Sequence, residues 1–262
     1  MPFAEVADLR IHYTDAGEGE PLVFLHGFTL DHRMWKRQID HFRGNYRVVC
    51  PDSRGHGLSA VPPTGYSRDH RVEELRELAD KIELERFHLI GLSMGGSTAI
   101  GFALKHQERL RSLILVSSGA AGYSVGKKIS KIDQLAIEKG LEAARARWMH
   151  WSLRYYRNRN EDLGRELEIM MREHPGAVWL DKMRGKYPRT YDLDHIHRIG
   201  VPTLIMAGQS DTMFIELARQ LHAGIAGSSM VIYKKTGHMI NLEIPERFNS
   251  DIERFIESVS SA

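Results

Sequence analysis

A chain of 262 residues is long enough to bury roughly three quarters of the surface its unfolded form exposes, so a full apolar core is within reach. With 42% hydrophobic and 27% charged residues it composes like an ordinary globular protein, not a disordered or fibrous one. A net charge of +2 without an isolated basic run argues against a nucleic-acid or membrane-surface partner.

Residues Met1 to Arg10 carry acidic side chains and no basic-then-apolar leader, so they do not read as a secretory signal. No stretch reaches the ~20 apolar residues that a bilayer requires. The single cysteine, Cys50, has no intramolecular partner and closes the apolar run Val48-Val49-Cys50, as a buried small hydrophobe does. Together these features lead us to expect a cytoplasmic protein.

Apolar runs alternate with amphipathic stretches along the chain, the pattern of an α/β fold. Strands are expected at Leu9 to Thr14, Leu22 to Leu25, Arg47 to Cys50, Phe87 to Leu92, Leu113 to Ser117, Thr203 to Ala207 and Met230 to Tyr233. Helices are expected at His32 to His41, Arg71 to Ile82, Met94 to His106, Ile215 to His222 and Pro245 to Val259. This order predicts a mostly parallel sheet covered on both faces, with its site beyond the C-terminal strand ends. Residues 122–198 break the rhythm: no strand is apparent, and Trp148, Trp151, Tyr155, Tyr156 and Met170-Met171 stand among 16 Lys plus Arg and 11 Asp plus Glu. We expect a helical cap there, inserted in a core formed by residues 1–121 and 199–262.

The chemistry centres on Gly91-Leu92-Ser93-Met94-Gly95-Gly96, a G-x-S-x-G sequence between an apolar strand and a helical pattern. A turn this sharp strains the serine and brings strand and helix close, which the flanking glycines allow. It also sets the Ser93 oxygen at a helix N-terminus, where backbone amides favour negative charge. Ser59, Ser67, Ser97, Ser117 and Ser118 lack this setting.

A serine needs a base to take its proton. Of 14 histidines, His238 follows the last expected strand through Lys234-Lys235-Thr236-Gly237, on the edge where the serine turn emerges. The base in turn needs a carboxylate to orient it. Asp211 fits, in Gly208-Gln209-Ser210-Asp211 just past the strand ending at Ala207. Ser117-Ser118-Gly119 offers no carboxylate, and Asp52, in Pro51-Asp52-Ser53-Arg54-Gly55, reads as a turn-capping acid. The loop His26-Gly27-Phe28 can present the Phe28 amide, which with that of Met94 forms a two-donor oxyanion hole. His26 and His56 read as residues that hold their loops.

Five pieces now stand in chain order: His26-Gly27-Phe28, Asp52-Ser53-Arg54-Gly55-His56-Gly57-Leu58-Ser59, Gly91 to Gly96, Gly208 to Asp211 and Gly237-His238. In this the chain resembles the α/β-hydrolase superfamily over essentially its whole length. Arg33-Met34-Trp35, Gln38 and Asn241-Leu242-Glu243 resemble its enol-lactonase and carboxylesterase branch. Ser93 stands where the dehalogenases and epoxide hydrolases of this fold carry aspartate.

The resemblance implies hydrolysis of a small carboxylic ester or lactone through an acyl-serine, with Ser93 as nucleophile, His238 as base, Asp211 as its orienter, and Phe28 and Met94 as oxyanion donors. It implies no cofactor, and no metal-ligand spacing is visible in the sequence. The same triad also serves C–C bond or amide hydrolysis, perhydrolysis and acyl transfer, and a ligand-binding member that has lost catalysis is a further alternative. Oligomeric state is not legible in the sequence.

Overall fold

Eight strands form one sheet in the order β1-β2-β4-β3-β5-β6-β7-β8: Phe3–Val6, Leu9–Ala16, Glu20–Leu25, Tyr46–Pro51, Phe87–Leu92, Leu110–Val116, Thr203–Gly208 and Ser229–Tyr233 for β1 to β8. The computed structural model describes residues 2–7, 9–123, 130–156, 159–183 and 186–260. The β1–β2 and β2–β4 pairings are antiparallel and the other five are parallel, so the sheet is mostly parallel, as the alternation of strands and helices predicts. Both sheet faces are covered, so the central strands are apolar throughout rather than alternating. All six residues of β5 are buried.

All seven expected strands are present, with ends shifted by up to three residues. β1 is an addition, a short edge strand whose single buried residue, Val6, gives no readable alternation. The helix expected from His32 opens instead as a 3-10 turn, His32–Trp35, before helix α1, Lys36–Phe42. Helix α2 runs Arg68–Lys81, three residues longer at its start than expected, because the Ser67 hydroxyl accepts from the His70 amide and caps it. Helix α3, Met94–His106, has the expected bounds.

Between β6 and β7 the described residues hold no strand. They form helices α4 (Ser130–Lys139), α5 (Leu141–Ser152) and α6 (Glu161–Glu173), followed by three 3-10 turns. α7 is Ile215–Gly224, α8 the single turn Ile240–Glu243, and α9 Pro245–Ser260. Trp148, Leu153, Tyr156, Leu167 and Trp179 of the inserted segment join the same apolar cluster as Phe24, Trp35 and Phe248 of the sheet side. The aromatic and Met-rich stripes are therefore shared core. No described helix is long and apolar enough to cross a membrane.

Candidate active site

β5 lies at the centre of the sheet, and the chain turns directly from it into α3. Ser93, at that turn, has φ 56° and ψ −109°, a region costly for any side chain. The strain is held by three backbone bonds: the Ser93 amide donates to Val116 O (3.1 Å), and Ser93 O accepts from the amides of Ser97 (3.0 Å) and Gly119 (2.9 Å). The flanking glycines serve close approach. A Cβ on Gly91 would strike the backbone of Gly95, and one on Gly95 would strike the carbonyls of Leu25 and His26. Their φ values are not positive, so the turn needs them for space and needs Ser93 itself for the strained conformation.

The His238 Nδ1 meets Asp211 Oδ2 at 2.6 Å. With Nδ1–H committed to that carboxylate, Nε2 is the nitrogen left for a reacting group. Asp211 sits in the β7–α7 loop, which is fixed to the histidine loop by the Ser210 amide on Thr236 O (2.9 Å). Ser93, Asp211 and His238 all line one cavity of about 670 Å³ between the sheet edge and the inserted helices. Among the three side chains, the histidine–aspartate contact is the one of hydrogen-bond length. Nucleophile–base contacts commonly tighten only when substrate is bound.

Phe28 and Met94 line the same cavity, and neither amide donates to another described group. The loop bearing Phe28 is set from below. The His26 Nε2 accepts from the Ser53 amide (2.9 Å), so its Nδ1 carries the proton given to Gly27 O (2.8 Å). Burial pushes His26 down from its ordinary pKa, in keeping with that neutral form. His56 is likewise buried, donates Nδ1–H to Arg54 O and is pushed well down by burial. Both histidines hold loops, as expected from sequence.

Asp52 does more than cap a turn. Its carboxylate accepts from the amides of His32 (2.7 Å) and Leu58 (3.0 Å) and contacts Nδ1 of both His12 (2.8 Å) and His32 (3.0 Å). Burial alone would raise this carboxyl, but the imidazole hydrogen bonds outweigh it and hold the group far below the usual carboxylate range. His12, His32 and Asp52 come from three distant segments, so spacing could not reveal them, although their donor atoms lie within 4.8 Å of one another as metal ligands would. Those atoms are already engaged with each other, which makes the cluster a hydrogen-bonded brace. Cys50 is buried and unpaired, and burial pushes its thiol up, away from nucleophilic reactivity.

Two supporting groups escaped the sequence reading. Glu243 accepts from the Gly237 amide (2.8 Å) and the Met239 amide (3.2 Å), the two peptides that flank His238. The Tyr156 hydroxyl, brought in by the inserted segment, accepts from Met239 N (2.9 Å) and donates to Glu243 (3.2 Å). The motif Asn241-Leu242-Glu243 held the signal, because its Asn241 is buried against Met34 O (3.0 Å) and receives Gln38 Nε2 on its carbonyl (3.1 Å). Of the residues that carried the branch resemblance, Met34, Gln38 and Asn241 thus tie the 3-10 turn after the Phe28 loop to the helical turn that bears Glu243. The third missed group is Arg71, which also lines the cavity.

A mostly parallel sheet with a strained serine at the central strand-to-helix turn, and a histidine–aspartate pair beyond the last strands, defines a class of α/β proteins built around such a turn. The model of the alpha/beta hydrolase fold family matches residues 20–245, and the chain belongs to that family. It is 28% identical to a putative 2-succinyl-6-hydroxy-2,4-cyclohexadiene-1-carboxylate synthase of Bacillus subtilis, covering 95% of this chain and 96% of that protein. It is 28% identical to 2-hydroxy-6-oxononadienedioate/2-hydroxy-6-oxononatrienedioate hydrolase 1 of Pseudomonas putida, covering 95% and 92%. A thermophilic esterase of Thermogutta terrifontis, solved with malate bound, superposes with a TM-score of 0.88 at 25% identity over 98% of each chain.

Proposed function

We propose that this chain is a serine hydrolase that cleaves a small carboxylic ester or lactone through an acyl-serine. Ser93 Oγ attacks the carbonyl carbon while His238 Nε2 takes its proton, and Asp211 holds the imidazole and stabilises its cation. The Phe28 and Met94 amides receive the developing oxyanion. His238 returns the proton to the leaving oxygen, and water then releases the acid by the same route. Residues 122–198 act as the cap that roofs the site, on a core of residues 1–121 and 199–262.

The observation that carries this reading is the convergence on one cavity of a strained Ser93, a His238 oriented by Asp211, and two uncommitted amides. A cavity of about 670 Å³ suits a small molecule. An enzyme working in the cytoplasm on such a substrate fits the unpaired, buried Cys50. The test is hydrolysis of p-nitrophenyl esters and small lactones by the wild type, Ser93→Ala and His238→Ala. A rate loss of several orders of magnitude in both variants supports the assignment, and full activity in Ser93→Ala overturns it.

A second reading, C–C bond hydrolysis by the same residues, draws on the Pseudomonas putida relative, named as a dioate hydrolase. Product analysis on a vinylogous diketone acid separates the two, since an ester substrate releases an alcohol and the diketone releases two carbon fragments.

A further inference from the structure

Three arginines of the segment 54–71 stand near one another, and carboxylates are available to only two. Arg54 is paired with Glu74, its Nε and Nη2 both resting on one carboxylate oxygen. Arg68 is paired with Asp192 and Asp69. Asp181, the next acid on this side, accepts from the Tyr187 hydroxyl (2.6 Å) and the Met183 amide (2.9 Å). Arg71 forms no ion pair among the described residues. Its Nε donates to Thr98 Oγ1 (3.0 Å) and its Nη1 to Tyr66 O (3.2 Å), which leaves Nη2 without a protein acceptor. The half-buried side chain lines the active-site cavity.

A cation placed in this way is costly unless an anion joins it. Burial, reinforced by Arg54 and Arg68 and only partly offset by Glu74, pushes the guanidinium down to about 10, still protonated at neutral pH. The position is also rigid. α2 lies so close to α3 that a Cβ on Gly101 would strike Arg68 and Val72. Thr98, which anchors Arg71, donates to Met94 O (3.2 Å), one peptide from the proposed oxyanion donor. Thr98 lies five residues beyond Ser93, roughly 7.5 Å along the helix axis, so an anion held by Arg71 would sit a few carbon atoms from the carbonyl under attack.

We propose that Arg71 is the specificity-determining anchor for a carboxylate on the substrate, so that the preferred substrates are half-esters of short dicarboxylic acids or lactones that carry a free carboxylate. This rests on the ester or lactone reading above. Two cations line the cavity among the described residues, Arg71 and Arg154, against the Asp211 carboxylate already held by His238. Arg154 is exposed in the turn after α5, where water and salt screen it. Arg71 lines the cavity from the half-buried start of α2, where a charge-assisted carboxylate contact on its free Nη2 keeps more of its strength.

The test compares p-nitrophenyl hydrogen glutarate with its neutral monoamide in the wild type, Arg71→Gln, Arg71→Lys and Arg154→Gln. The wild type should favour the anionic ester by roughly ten- to a hundredfold in kcat/KM, chiefly through KM. Arg71→Gln should erase that ratio, Arg71→Lys should retain part of it, and Arg154→Gln should leave most of it. An equal ratio in wild type and Arg71→Gln overturns the proposal, as does a ratio that collapses in Arg154→Gln alone. A second measurement does not depend on turnover: calorimetric titration of glutarate into Ser93→Ala with and without Arg71→Gln. Binding that weakens at least tenfold on losing Arg71 sustains the anion site even if neither ester is hydrolysed, in which case the ester reading alone fails. Absent binding, or binding indifferent to Arg71, overturns the site whatever the kinetics.

Discussion

Replacing Glu243 by alanine should damage catalysis from a position that touches no substrate. The carboxylate holds both peptides around His238, through Gly237 N at 2.8 Å and Met239 N at 3.2 Å. Met239 N keeps the Tyr156 hydroxyl at 2.9 Å, but the buried Gly237 amide is left with no acceptor. One orphaned buried donor costs about 1–3 kcal/mol, and the weakened Tyr156 and Met239 contacts bring the expected loss to about 2–3 kcal/mol. For a chain of this size that lowers the Tm by roughly 5–10 °C. The histidine loop then relaxes, and a displacement on the order of 1 Å at His238, the proposed base, costs up to about a hundredfold in rate. The assays are calorimetric melting and kcat/KM on one ester at one pH. Glu243→Gln, which keeps one acceptor oxygen, should fall between alanine and wild type in both. A Glu243→Ala enzyme within twofold of wild type and with an unchanged Tm would refute the reasoning.

The strain at Ser93 gives a prediction of opposite sign: Ser93→Gly should raise the Tm by about 2–4 °C while Ser93→Ala does not, because glycine relieves a backbone cost of about 1–3 kcal/mol less its greater unfolded-state entropy; equal melting of the two variants would count against the strain. Gly95→Ala should lower the Tm by 6 °C or more, roughly the effect of a 2–3 kcal/mol steric conflict with the Leu25 carbonyl, and a variant that melts with the wild type would remove close approach as the reason for that glycine. Asp52 is held below the ordinary carboxyl value of about 3.9, so its folded form binds a proton less readily than its unfolded form. Its contribution is present above about pH 4 and is lost as pH falls further. Asp52→Asn should therefore be less stable at neutral pH, and its gap from wild type should narrow below pH 4 in urea melts; a gap that widens on acidification would contradict this.

How much of this was visible in the chain depends on range. β5, with six buried residues, and α3, which follows it without a linker, carry unbroken local patterns and have their expected bounds. The serine turn, Asp211 and His238 were legible because each follows a strand end, and a parallel sheet brings those ends to one edge. What escaped was carried by contacts of long sequence separation. Glu243 stands near His238 in sequence, but its role depends on which way a single helical turn faces. The His12–Asp52–His32 brace joins segments 20 and 40 residues apart. Arg71 had only the look of a polar residue opening a helix. Its meaning lies in the carboxylates that other arginines take, and no periodicity records that competition. β1 was missed for a humbler reason, since a four-residue edge strand with one buried position has no pattern to read.

The central claim, that Ser93 is a nucleophile activated by His238, is tested most directly by reaction with a fluorophosphonate followed by peptide mass spectrometry, alongside the pre-steady-state time course of a p-nitrophenyl ester. The account predicts one phosphonyl group on the peptide containing Ser93, none on Ser93→Ala, far slower labelling of His238→Ala, and a burst of product near one per enzyme. Label on another residue, or ester turnover that survives in Ser93→Ala, would contradict it.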